Sequence, residues 1–340
     1  MSTIINTSFD SLYLTSHLPD EVEIETLTPQ VTVTIKIDDS EVFKANYYPY
    51  ALMVYVSDIR SIVESAMQQK GLAIASFELE VKDLEKMIKS SGKMKVVYSE
   101  LKSPAGSEDF LENHFLSTRK SALLSQTCPF YLHLYCKEYE QCSNYCIIYY
   151  STSYTPGQVL SLRYDFSSKL SEKEDILSVS ANYAKFRSLL ESKKIYGATV
   201  LYVHYCTSPR EFDIYFTSVA PSDTFQFLNN FNLMETVCLF GATTNKTEIS
   251  RSEAVRGRVT SFYDVTKRVK HEVETAPLTL AEARHLIELI TSRKITRCIG
   301  NNVYAPVIIT DSTPEFSNND SDQIRLKFTY EYTDNKEYIE

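Results

Sequence analysis

The chain has 340 residues, enough for two or three domains that each bury a core without disulfides or metals. Hydrophobic residues make up 43% and charged residues 23%, which excludes an intrinsically disordered chain. A formal net charge of −9 argues against broad binding to a phosphate backbone, so nucleic acid is not an expected partner.

The N-terminus, MSTIINTSFDSLYL, has no Lys or Arg ahead of its apolar residues and no apolar stretch long enough for a secretory signal. No segment approaches the roughly 18 consecutive apolar residues of a membrane span, so membrane insertion is not expected. From Val31 to Ile37, apolar residues alternate with Thr32, Thr34 and Lys36, the period-two pattern of a strand with one buried face. After Ser57 and Asp58, candidate N-caps, Ile59, Ile62, Val63, Ala66 and Met67 fall on one helical face, and Gly71 ends the helix. The basic run of Lys82, Lys86, Lys89, Lys93 and Lys95 is interleaved with Asp83 and Glu85, as on a solvated mixed-charge face. Residues 102–109 hold Ser103, Pro104, Gly106 and Ser107 and read as a boundary.

Leu160, Leu162, Tyr164 and Phe166 alternate in the same way as the first strand, and so do Phe212, Ile214 and Phe216. Between them lies an echo. Ile59-Arg60-Ser61-Ile62-Val63-Glu64-Ser65 returns as Phe186-Arg187-Ser188-Leu189-Leu190-Glu191-Ser192, four identities in seven positions. Asn182 precedes the second copy as a cap and Gly197 follows it as a breaker. The expected repeat is strand, loop, strand, short amphipathic helix, strand, near residues 31–81 and again near 159–205. Arg60 with Glu64, and Arg187 with Glu191, are spaced for helix-surface ion pairs.

A second boundary is expected at 219–223, around Pro221 and Ser222. Thr279 and Glu282 make a capping-box pattern ahead of Ala283, Leu286, Ile287 and Ile290, so Leu280 to Ser292 should be helical. Residues 311–322 read as a long hairpin loop before a last alternating strand from Ile324 to Tyr332. The expected fold is mainly β with a few short helices (α+β), in tandem antiparallel β-sandwich-like modules. The modules are 1–105 with one short helix, 106–220, repeat-related with one short helix, and 221–340 with helix 280–292.

Chemical motifs are scarce. Eight glycines leave no GxGxxG or GxxxxGK loop and no GxSxG elbow. The six histidines form no HExxH, and His204 and His285 read as structural or surface residues. Seven cysteines suit free thiols in a reducing compartment. Cys128, Cys136, Cys142 and Cys146 cluster near His133 but lack the paired spacing of structural zinc. Glu138 with Glu140, and Asp320 with Asp322, sit in no calcium-binding loop pattern. No catalytic residue, metal site or cofactor is expected.

Tyrosine is the outlier, with 24 against no tryptophan. Tyr47, Tyr48 and Tyr50 crowd one stretch, and Tyr131, Tyr135, Tyr149 and Tyr150 lie in another. Tyrosine pairs a large apolar face with a polar tip, so both stretches are candidate interfaces or glycan-stacking surfaces.

Four segments carry a family likeness: FQFLNNFNLME from Phe225, EVETAPLTLAEARHLIELITS from Glu272, PVIITDS from Pro306 and LKFTYEYTDN from Leu326. In these, under a third of the chain, the sequence resembles β-rich virion proteins of tailed bacteriophages or prophages, of the kind found in the Bacteroides group. The resemblance carries over no functional residue. It implies a non-enzymatic structural component of a tail or baseplate, assembled in the bacterial cytoplasm and located in the virion. Its partners would be other virion proteins or itself in a homo-oligomer. Two other expectations are a glycan-binding or host-adhesion module, meeting a host-surface glycan, and a hydrolase whose site converges only in the fold.

Overall fold

The computed structural model describes residues 3–84, 88–155, 157–167, 170–256, 259–300, 303–312, 314 and 324–334. Strands dominate it, joined by four short α-helices among the described residues: α1 (Ile59–Lys70), α2 (Ser107–Asn113), α3 (Tyr183–Ser192) and α4 (Leu280–Thr291). The mainly β architecture with a few short helices expected from period-two alternation is the one observed. The expected hairpin loop at 311–322 lies largely outside the described residues.

The first unit stacks two sheets. Its main sheet runs in the order Leu12–Leu14, Met94–Val97, Ile74–Asp83, Val31–Ile37, Ser40–Tyr47, with Ile88–Ser90 added beside Ile74–Asp83. A smaller antiparallel sheet of Ile4–Ile5, Val22–Glu25 and Met53–Val56 covers it. The inward residues of both meet in one cluster that includes Val22, Ile24, Val33, Ile35, Val54 and Val56, each at most a few per cent exposed. The alternation places them there, because successive strand side chains point to opposite faces.

The second unit repeats this plan, apart from Ile4–Ile5 and Ile88–Ser90, which have no counterpart in it. Its main sheet runs Ser121–Ser125, Arg210–Thr217, Thr199–Thr207, Asn144–Ser151, Leu160–Asp165, and its small sheet pairs Tyr131–Cys136 with Asp175–Ser180. In both units the first strand of the main sheet pairs in parallel with the last, Leu12 with Lys95 in one and Ser121 with Asp213 in the other. The repeat is therefore present, but its register differs from the expected one. Val31–Ile37 corresponds to Asn144–Ser151, and Leu160–Asp165 corresponds to the next strand, Ser40–Tyr47. The sheets are also not purely antiparallel, since each carries that one parallel edge pair.

The echoed helices occupy the same place in each plan, between a small-sheet strand and a central main-sheet strand. Helix α1 buries Ile59, Val63, Ala66 and Met67, and α3 buries Phe186, Leu189 and Leu190. Asn182 caps α3 as expected, accepting from the Lys185 backbone N at 2.9 Å. Asp58 does not cap α1. It sits in the left-handed region with φ 64°, and its side chain makes no cap bond. The Arg187–Glu191 pair forms at 3.1 Å, whereas Arg60 donates to the Leu18 carbonyl at 3.1 Å.

The third unit is one seven-stranded antiparallel sheet, in the order Met234–Leu239, Asp223–Leu228, Ile295–Cys298, Tyr304–Ser312, Lys327–Tyr332, Val259–Thr275, Gly241–Arg256. Helix α4 packs Ala283, Leu286 and Leu289 against it. Its capping box is complete: Glu282 N donates to Thr279 Oγ1 at 3.3 Å and Thr279 N to Glu282 Oε2 at 2.8 Å. The segment at 102–109 is not only a connector, because α2 starts within it. Leu111 of α2 joins Leu12, Leu14, Leu116, Tyr135 and Phe231 in a small cluster that draws on all three units. No helix among the described residues is long and apolar enough to cross a membrane.

Candidate functional site

The feature that departs most from a self-contained β protein is a two-stranded ribbon, Gly241–Arg256 against Val259–Thr275. Among the described residues only its root joins the sheet, through His271–Glu274 paired with Lys327–Tyr330. Beyond the root, residues 259–268 are exposed on both faces. At about 3.3 Å per residue the free part extends over some tens of ångströms. Gly241 sets the root, since a Cβ there would run into the Glu274 carbonyl oxygen.

Register divides the ribbon into two unlike faces. Directly opposed residues share a face, so the pairs Ile249–Lys267, Arg251–Val265 and Glu253–Phe262 lie on one side. On that side Ile249, Val265 and Phe262 are exposed, and the Arg251 guanidinium lies 5.3 Å from the Phe262 ring centre. Tyr263 is the extra residue at a bulge and is also exposed. The opposite side is polar: Lys270 pairs with Glu248 at 2.8 Å, and Lys246 pairs with Glu272. Reading for apolar alternation passes over such a ribbon, because charged residues interrupt it. The usable signal was Val255, Val259, Val265 and Val269, with several threonines, on either side of the sequence Arg256-Gly257-Arg258.

A second concentration of chemistry lies where the units meet. Arg119 donates from Nε to Glu235 Oε1 at 2.8 Å and from Nη2 to the Thr236 carbonyl at 2.8 Å. Glu235 also accepts from Asn229 Nδ2 at 3.0 Å and from Ser117 Oγ at 3.1 Å, and lies 3.4 Å from His285 Nε2. Burial pushes the Glu235 carboxyl up, but the positive charges of His285 and Arg119 and the bonds from Asn229 and Ser117 outweigh it, leaving the group lowered. Thr118 is hydrogen-bonded to His285 Nδ1 at 3.1 Å and to Glu288. A cleft of about 600 Å³ opens beside this cluster, lined in part by Lys102, Phe110, His114, Thr118 and Lys120.

This cluster brings His285 beside two carboxylates and a hydroxyl, a combination that hydrolysis would need. Its geometry favours a structural lock. The ring is 3% exposed, and the Thr118 hydroxyl has a carboxylate as well as the imidazole for a partner. His204 bonds Asp213 at 2.9 Å through Nδ1 on a sheet face, and Tyr202 donates to the same carboxylate.

The seven tyrosines separate. Tyr48 and Tyr50 are 73% and 88% exposed, Tyr131 is exposed, and Tyr47 is half-buried. Tyr135 and Tyr150 correct the expectation of surface aromatics, because both are buried, in α2's cluster and the second core respectively. Tyr149 packs tilted against Tyr202 with ring centres 5.1 Å apart, and Tyr202 stacks on Tyr215 at 4.8 Å. That ladder crosses three strands and stabilises their pairing.

Cys136 and Cys146 are core thiols, and burial raises both, each to about 12. His133 is bound between Ser178 Oγ at 2.8 Å and the Met234 carbonyl at 3.0 Å. Among the described residues no three His, Cys, Asp or Glu side chains gather as a metal site.

No family model matches the chain, and no curated protein matches it. Among solved structures, a crystal structure of CBD12 from CALX1.2 aligns at 9% identity over 61% of this chain and 79% of that one. Its TM-score is 0.18, too low to carry an argument.

Proposed function

We propose that this chain is a non-enzymatic structural component of a phage or prophage particle, in the tail or baseplate, acting through protein–protein interfaces. The observation that carries the reading is the ribbon. A two-stranded ribbon is marginal in water by itself, and exposed apolar side chains on a projecting element fit a surface that is covered in an assembly. The duplicated β units suit the same role, as a rigid body from which the arm projects. The test is mass spectrometry of purified particles from the source bacterium, with pull-downs using proteins encoded beside this one. Recovery of the chain in particles at a fixed stoichiometry is expected. Its absence from particles, together with no binding to any co-encoded virion protein, would end the reading.

A glycan-binding or host-adhesion role is the second reading, and the exposure of Tyr48 and Tyr50 favours it. Aromatic faces of that kind stack on sugar rings. A glycan array with no hit that depends on these two tyrosines would exclude it.

A further inference from the structure

We infer that the ribbon of one copy docks on the outer face of the small N-terminal sheet of a second copy, giving a head-to-tail assembly. This rests on the assembly reading and names one partner within it.

Charge is the first argument. From Lys246 to Lys270 the ribbon has seven Lys and Arg against three Asp and Glu, a balance of +4, which leaves −13 on the rest of a chain whose total is −9. The complementary surface is at the other end. Residues 1–35 contain Asp10, Asp20, Glu21, Glu23 and Glu25 and no Lys or Arg.

Shape and polarity are the second. In the small sheet, Val22, Ile24, Val54 and Val56 point inward, so Glu23, Glu25, Met53 and Tyr55 form the outer face, with Glu23 opposite Tyr55 and Glu25 between Ile4 and Met53. Ile4 and Tyr55 are exposed there, and Leu27, Tyr48, Tyr50 and Leu52 are exposed on the adjoining turns. An acidic aromatic face thus meets the requirements of a basic apolar one: Arg251 for Glu23 or Glu25, Phe262 and Ile249 for the tyrosine and leucine side chains. Arg and aromatic residues are the types that anchor protein interfaces.

Both surfaces are open in a single copy, so the chain's own body covers neither. Because arm and acceptor are different patches, the contact is heterologous. It repeats into a ring if the rotation closes and a filament if it does not.

The test uses the full-length protein in sedimentation velocity from about 1 to 100 µM, at low and high salt, with thermal melts to confirm that each variant folds. The wild type should associate with rising concentration, more weakly in high salt. Ile249→Ser with Arg251→Ser should raise the dissociation constant at least tenfold, and so should Glu23→Lys with Glu25→Lys. Mixing the two variants should give a one-to-one complex and nothing larger, since only one intact arm and one intact acceptor remain. A wild type that stays monomeric to 100 µM overturns the proposal, as does association that neither variant changes. Particle mass spectrometry tests the assembly reading independently of both results.

Discussion

Arg119 and Glu235 form an ion pair at 2.8 Å between the second unit and the third, with side chains only 9% and 3% exposed. Breaking one partner of a buried pair leaves the other charged and dry, which costs more than the pair contributes when intact. Glu235→Gln should therefore lower stability by about 3–5 kcal/mol, because the negative charge that faces both His285 and Arg119 is removed. Combining it with Arg119→Met should cost less than the sum of the Glu235→Gln and Arg119→Met single variants. Denaturant melts of the four proteins measure this. Additive losses would mean that the two side chains are not coupled.

Acid should weaken the fold in two stages. Burial lowers His17, His114 and His133, helped at His17 by Lys102 and Arg60 and at His114 by Lys120. A histidine lowered in the native state takes its proton more readily in the unfolded chain. Stability is then complete above about pH 6.5 and falls as the pH drops toward the native values. Glu235 is also lowered, so its contribution persists above about pH 4.3 and disappears below that as the native carboxylate is protonated. Melting temperatures should hold from pH 8 to about 6.5 and decline from there to pH 5, and His133→Asn should flatten the decline. A melting temperature that is constant or rises across that range contradicts the assignment.

The echoed heptad separates a residue that packs from one that decorates. Leu190 is fully buried in the second core, and Arg187 pairs with Glu191 on the solvent side, both about half exposed. Leu190→Ala should cost about 2–5 kcal/mol, and Arg187→Ala no more than about 0.5 kcal/mol. Urea midpoints of the two variants give the comparison. A large effect at Arg187 would show that the shared Arg-Ser motif does more than sit on the surface.

Those two residues also mark what could be read in advance. Local rules place α1, α4 and the start of α3 within a residue or two, because amphipathic spacing and caps are properties of neighbouring residues, whereas α3 ends at Ser192, well before the expected breaker Gly197. The alternation at Val31–Ile37 and Leu160–Asp165 gives strands for the same reason. It cannot say which strand of one unit corresponds to which strand of the other, since that depends on hydrogen-bond partners distant in sequence, such as Ser121 beside Asp213. Arg210 was equally hidden: it is 1% exposed, held by Glu140 and by the carbonyls of Leu111 and Tyr135, and nothing local marks an arginine for burial. The candidate site divides likewise. Exposure at Tyr48 and Tyr50 and burial at Tyr135 and Tyr150 follow from the sheets each faces, and the ribbon's importance comes from what is missing on both sides of it.

That openness makes the ribbon the first target of a protease. Backbone that leaves its sheet is cut fastest where few tertiary contacts must break, and among the described residues the ribbon beyond its root pairs only with itself. It also offers Arg251, Lys267 and Arg268 to trypsin. Brief digestion at low protein concentration should give first cuts between residues 246 and 268, read by intact-mass spectrometry, with the melting temperature of the nicked body nearly unchanged. If a second copy covers the arm, those cuts should slow as protein concentration rises while cuts elsewhere do not. First cuts in the body, with the ribbon intact at every dilution, would show that the arm is held by contacts of its own chain.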